Sequence, residues 1–160
     1  MTALKETFYE FINKGLFLFL ILIPLLACGR EKTADRIDCD IDAGPCTKTI
    51  AAESPVQVTL EIGPRPLSAM KRLLFRVKAV EKDAAIKDAE VFIDLTMPGM
   101  SMMENRIQLR QAKDNSYVGE GVIVKCSSGG KVWRADITIG PPRDTAHGRM
   151  STSFQFRVSR

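Results

Sequence analysis

A side-chain period of two, starting at Val56 and returning almost to the C-terminus, constrains this chain more than any other feature. Val56, Val58, Leu60 and Ile62 alternate with Gln57, Thr59 and Glu61. Successive side chains of a strand point to opposite faces, so such a run has one dry face and one wet face. The prolines of Gly63-Pro64-Arg65-Pro66 end it, because proline has no N–H to give to a ladder. The period resumes in Leu73 to Val80, Glu90 to Thr96, Arg106 to Gln111, Tyr117 to Lys125, Val132 to Ile139 and Ser153 to Val158. Polar or turn-forming sequence separates these runs, and only Ala69-Met70-Lys71 offers a helical turn. About seven short, regularly spaced strands predict an all-β fold over residues 56–160: an antiparallel β-sandwich with Trp133 as its large core residue.

The first 27 residues have the layout of an export signal. Lys5 and Lys14 precede the apolar run Gly15 to Ile23, and Pro24 breaks it. Carried through Ala27 the apolar run is about a dozen residues, shorter than the roughly 20 that span a bilayer. The rival reading is an uncleaved anchor helix, with Phe8, Phe11 and Ile12 extending the apolar stretch. Leu25-Leu26-Ala27-Cys28 resembles a bacterial lipobox. That resemblance implies removal of residues 1–27, a diacylglyceryl thioether on Cys28 and palmitate-type acylation of its amino group. Several acyl chains hold a protein on a membrane where one is marginal. Gly29, where an Asp would retain the protein at the inner membrane, favours the inner leaflet of the outer membrane, facing the periplasm.

A mature chain from Cys28 to Arg160 suits one domain with a real core. The formal charge of +4 is mild. Arg106, Arg110, Arg134 and Arg157 alternate with apolar residues on strands, which describes solvated strand faces and no nucleic-acid patch. Residues 28–55 read as the lipidated N-terminus and a polar tether. Its acids at 38, 40 and 42 do not make a calcium loop, since Ala43 stands where Gly is needed and Thr49 where Glu is needed. Of the four cysteines, Cys28 takes the lipid. An oxidising compartment lets two of Cys39, Cys46 and Cys126 pair. Closure of the short loop between Cys39 and Cys46 is entropically cheap; the alternative pins this segment to Cys126.

Catalytic signals are thin. The one histidine, His147, sits in a polar loop near Asp144, and no residue is marked as a nucleophile. Asp94 and Glu120 fall on outward strand positions. The unusual stretch is Met97-Pro98-Gly99-Met100-Ser101-Met102-Met103, which holds four of the seven methionines directly after a strand. Thioethers are soft ligands suited to Cu(I). They also fill irregular gaps at the end of a core.

Val91-Phe92-Ile93-Asp94-Leu95-Thr96-Met97-Pro98-Gly99-Met100, the later Tyr117-Val118-Gly119-Glu120-Gly121 and the strand entered at Trp133 together resemble the YtkA-like/FixH-type domain. In that family a Met-Pro-x-Met turn follows a strand, and a Tyr strand and a Gly-x-Trp strand come later. Here two residues separate Gly130 from Trp133, and Cys126 departs from the simplest pattern. The resemblance implies a small Ig-like β-sandwich outside the cytoplasmic membrane, and some members accompany copper-handling or oxidase-assembly systems.

The sequence therefore predicts a lipid-anchored, non-catalytic binding or accessory module for an envelope protein partner. The alternative is a Cu(I)-binding module using Met97, Met100, Met102 and Met103, with Cys126 as a further candidate ligand.

Overall fold

The computed structural model describes residues 36–101, 103–126, 129–141 and 148–158. The stretch expected to be an export signal, Cys28, Met102, Asp144 and His147 lie outside the described residues. Among those described there is no helix. The strands are β1 (Cys46–Ile50), β2 (Val56–Gly63), β3 (Arg72–Glu81), β4 (Ala84–Ala85), β5 (Glu90–Thr96), β6 (Arg106–Gln111), β7 (Tyr117–Val122), β8 (Val132–Gly140) and β9 (Met150–Arg157). Their order is β1-β2-β3-β7-β6-β5-β8-β9, with β4 on β3, and the pairings are antiparallel throughout. All seven predicted strands are present. The all-β antiparallel class is borne out.

The period of two becomes the core directly. Val56, Val58, Leu60 and Ile62 of β2 are at most 1% exposed, as are Val91, Ile93 and Leu95 of β5. Trp133, Tyr117, Phe75, Phe154 and Phe156 are the largest fully buried side chains. Burying each such ring removes enough apolar surface to contribute roughly 1.5–3 kcal/mol. The Tyr117 hydroxyl also fastens a loop: it donates to Ile86 O at 3.0 Å and accepts from Ala89 N at 3.0 Å.

Two separate layers give way to a nearly closed, barrel-like sheet, because β6 serves both. Arg106 to Leu109 pair with β5, and Arg110 and Gln111 pair with Val118 and Tyr117 of β7. Strands that change sheets in this way make the corners of orthogonal packings. Beyond the shared rungs Ile107 fills the space beside β7, which the glycines at 119 and 121 leave open. A Cβ on Gly119 would lie 2.8 Å from Gln108 O, and one on Gly121 2.8 Å from Ile107 Cγ1.

The other seam lies between β1 and β9 and corrects the sequence boundary at residue 56. Residues 36–50, expected to belong to a polar spacer, pack on the barrel. Ile41 is 1% exposed, and β1 runs in register with β2 from Cys46↔Leu60 to Ile50↔Val56. Asp38 N donates to Gln155 O at 2.9 Å, and Gln155 N donates to Asp38 Oδ2 at 3.2 Å, so Asp38 adds a rung to β9. Lys48 Nζ spans the seam, donating to Asp38 Oδ2 at 2.7 Å and to Ser153 O at 2.6 Å. Burial acts to raise the Asp38 pKa. The bonds from Lys48 and Gln155 outweigh it and hold the carboxyl below its ordinary range. The half-buried row of β1 consists of Cys46, Lys48 and Ile50. A lysine in that row reads as polar linker until its carbonyl and carboxylate acceptors are seen.

Cys39 and Cys46 form a disulfide with Cα atoms 5.9 Å apart, which makes the loop between them part of the fold. Asp42 Oδ1 accepts from Leu67 N at 2.8 Å and ties the same loop to the connection after β2.

Candidate binding site at one end of the barrel

Thr96 ends β5, and the chain turns at once. Met100 N donates to Met97 O at 3.1 Å, and Gly99 has φ +77°. Proline at the second position and a left-handed glycine at the third are what a type II turn requires. A second turn lies opposite, closed by Gly129 N donating to Cys126 O at 3.2 Å.

These turns divide the methionines among different tasks. Met97 is 6% exposed and belongs to the core, as its packing role predicts. Its methyl occupies the space a side chain at residue 130 would take: a Cβ on Gly130 would lie 2.6 Å from Met97 Cε and 3.7 Å from Cys126 Sγ. Met100 is 43% exposed and receives a hydrogen bond from Cys126, with Sγ and Sδ 3.6 Å apart. Met103 is 92% exposed. The three described methionines of the cluster are therefore not equivalent. Met97 backs a sulfur pair made by Met100 and Cys126, and Met103 lies in solvent.

Below this pair is a cavity of about 370 Å³. Its apolar walls come from Ala69, Met70, Val124, Trp133 and Val158, with Cys126 and Gly130 on the side shared with the sulfurs. Met70 and Val124 are 65% and 40% exposed and stand at the mouth. Met70 adopts φ +62° although it carries a side chain, and its N donates to Ile123 O at 2.8 Å. A long side chain in the left-handed region costs on the order of 1 kcal/mol and persists where neighbouring contacts hold it. Here that bond binds the connection before β3 to the chain after β7 and sets Met70 over the opening. Leu74 and Val122, both near 40% exposed, lie on the outward face of β3 and β7 beside the ion-paired Arg72 and Glu120. Lys125 and Lys131 complete the lining.

The carboxylates considered for acid–base chemistry are engaged elsewhere. Asp94 takes both Nε and Nη2 of Arg106, at 2.8 and 3.1 Å, while that guanidinium stacks 4.4 Å from the Phe92 ring centroid. Glu120 faces Arg72 at 3.3 Å. Among the described residues no group of three or more His, Cys, Asp or Glu side chains is arranged to hold a metal. The sulfur pair is the soft donor set that the fold assembles. Cluster composition drew attention to Met97–Met103. Which sulfur would meet Cys126, and the role of Gly130 in making room for Met97, depend on two turns brought together across the barrel end.

A family model described as YtkA-like matches residues 50–126. No curated protein and no solved structure gives a match. The matched span takes in the Val91–Met100 and Tyr117–Gly121 motifs, ends at Cys126 and so leaves the Trp133 strand beyond it.

Proposed function

We propose that this chain, with its YtkA-like domain at residues 50–126, is a lipid-anchored, non-catalytic binding module of the cell envelope that engages its partner at the Met70–Lys131 end of the barrel. The observation that carries the reading is the cavity of about 370 Å³ with exposed Met70 and Val124 at its mouth. Ligand sites are concave and mostly apolar with a few polar groups. Apolar side chains left in water around a concavity mark places where something docks. The lipobox-like Leu25-Leu26-Ala27-Cys28 supports attachment to the membrane through Cys28, and Gly29 supports the inner leaflet of the outer membrane.

A photo-crosslinking side chain placed at Met70 or Val124 in cells, with Lys78 on the exposed face of β3 as the control, tests the surface. Adducts from 70 and 124 but not from 78 support it; no adducts, or the same adducts from all three, remove it. Incorporation of labelled palmitate that persists in Cys28→Ala removes the anchor.

The 3.6 Å contact between Cys126 Sγ and Met100 Sδ favours a second reading, a Cu(I)-binding module. A thiolate and a thioether are the soft donors that select Cu(I), and their approach across two turns needs no rearrangement of the backbone.

A further inference from the structure

We infer that the end of the barrel carrying Met70, Met100, Met103 and Val124 lies against the lipid bilayer, with these side chains entering the boundary between headgroups and acyl chains. The inference rests on the reading of this end as the binding surface and of Cys28 as the anchor, and it names the partner as the lipid surface itself.

Apolar exposure on the loops is concentrated at this end. The registers Gly63↔Leu74, Arg72↔Val122, Thr96↔Arg134 and Val132↔Arg157 bring the segments 64–71, 97–105 and 123–131 together there. Met70, Met100, Met103 and Val124 stand on them, each at least 40% exposed. Met70 N donating to Ile123 O, and Cys126 Sγ donating to Met100 Sδ, tie the three segments to one another. The segments 51–55, 82–89 and 112–116 form the opposite end. They present Glu53, Lys82, Asp83, Lys87, Asp88 and Lys113 to solvent, and no large hydrophobic residue on them is exposed. A body with one apolar end and one charged end takes a preferred orientation at a boundary between water and lipid.

The tether says what covers the apolar end. By the lipobox reading the acyl chains sit on Cys28, and the residues from there to Arg36 reach at most about 29 Å when fully extended. Asp38 joins β9 at Gln155, two residues from Arg157 at the apolar end and five from Met150 at the other. A chain that short, entering that near, holds the apolar loops at the surface that the acyl chains occupy.

Charge assigns the mode of contact. Arg65, Lys71, Lys125 and Lys131 lie at this end, and so do Glu104 and, through the bond from Leu67 N to Asp42, the acids Asp40 and Asp42. The two signs nearly balance, so apolar side chains supply the attraction and anionic headgroups are not required. Lysine stems lie along apolar surface while their ammonium groups stay in water.

The lipidated full chain is reconstituted in phosphatidylcholine vesicles with no other protein, and its methionines are footprinted with hydroxyl radicals and read by mass spectrometry. The Cys28→Ser chain without vesicles is the reference, and rates are taken relative to Met150 at the far end. Met70 and Met103 are expected to be oxidised at least threefold more slowly on vesicles, equally in about 0.1 M and about 1 M NaCl, since salt screens charge and leaves apolar contact intact. Met70→Glu with Val124→Glu is expected to restore the Met103 rate while the protein still floats with the vesicles. Unchanged rates at Met70 and Met103 overturn the inference, and protein adducts from the cross-linker at 70 and 124 then keep the binding surface standing. Protection that vanishes in 1 M NaCl overturns it in favour of headgroup attraction. A chain that does not float with the vesicles removes the anchor and the inference with it. If the double variant fails to fold by circular dichroism, the parent's rates on and off vesicles still decide.

Discussion

Cys126 and Met100 meet with their sulfur atoms 3.6 Å apart, although 26 positions separate them in the chain. Each belongs to a hydrogen-bonded turn, Met97–Met100 on one side and Cys126–Gly129 on the other. Gly130 keeps the space behind them open for the Met97 methyl. A soft pair is thus held at the surface by a buried thioether and two glycine-dependent turns.

That arrangement separates the methionines by experiment. Cys126→Ser and Met100→Leu are each expected to weaken Cu(I) uptake at least tenfold, about 1.4 kcal/mol, in competition with a chromogenic chelator. Met103→Leu leaves uptake unchanged. Met97→Leu conserves volume and shifts stability by less than about 1.5 kcal/mol. Uptake indifferent to both Cys126 and Met100 rules out the copper reading.

The seam between β1 and β9 gives a pH prediction. The Asp38 carboxyl is held below its ordinary range, so its contribution is complete above about pH 4 and is lost as pH falls through the lower folded-state value. Removing its charge in Asp38→Asn weakens the bonds from Lys48 and Gln155 and costs about 1–2 kcal/mol near pH 7. Urea unfolding at pH 7 and pH 3 measures this: the gap between parent and variant narrows in acid. A gap that stays constant assigns the loss to packing.

Strand placement was legible because Val56 to Ile62 and Val132 to Ile139 need their alternation only to choose a buried face. What the alternation does not carry is where a strand changes partner. Nothing in Arg106-Ile107-Gln108-Leu109-Arg110-Gln111 announces that its last two residues leave β5 for β7; the glycines opposite, at 119 and 121, decide it. β1 stayed hidden for a related reason. Lys48 holds an inward position because Asp38 and Ser153 O, distant in sequence, receive its ammonium group. The Met cluster was visible as composition, whereas its division among core, sulfur pair and solvent is a product of tertiary packing.

Tyr117 ties down the loop after β4 through its hydroxyl, donating to Ile86 O and accepting from Ala89 N. Tyr117→Phe keeps the ring packing and strands both backbone groups, one of them a donor. The expected loss is about 1–3 kcal/mol, with faster amide exchange at Ala89. A loss below about 0.5 kcal/mol would show that solvent replaces the hydroxyl there.

Reduction of the Cys39–Cys46 bridge frees residues 36–50 before it frees the barrel. Loop-closure entropy for so short a loop corresponds to about 2 kcal/mol. Cys39→Ser with Cys46→Ser is expected to raise amide exchange over residues 36–50 and to lower the midpoint of thermal unfolding. The β5–β8 ladder keeps its protection below that midpoint. Simultaneous loss of protection in both regions would mean that β1 belongs to the same cooperative unit as the core.

Gly121 is where the barrel's corner is most sensitive to a single methyl. Its missing side chain lets Ile107, itself 5% exposed, lie against β7, and Phe75 closes the same space from β3. Gly121→Ala drives a Cβ into Ile107, with Phe75 Cε2 only 3.2 Å away on the other side. Ile107 must shift to admit the methyl beside the fully buried Phe75, so an overpacking cost of about 1–3 kcal/mol is expected to exceed what alanine gains by restricting the unfolded chain. Ile107→Val alone costs about 0.5–1.5 kcal/mol by leaving a small void. Combined, the two changes are expected to cost less than their sum, because the added methyl occupies space the isoleucine gives up. Chemical denaturation of the four proteins of this cycle measures the coupling. Strict additivity would mean that the corner is set by the backbone of β6 and not by the fit of Ile107 over Gly121.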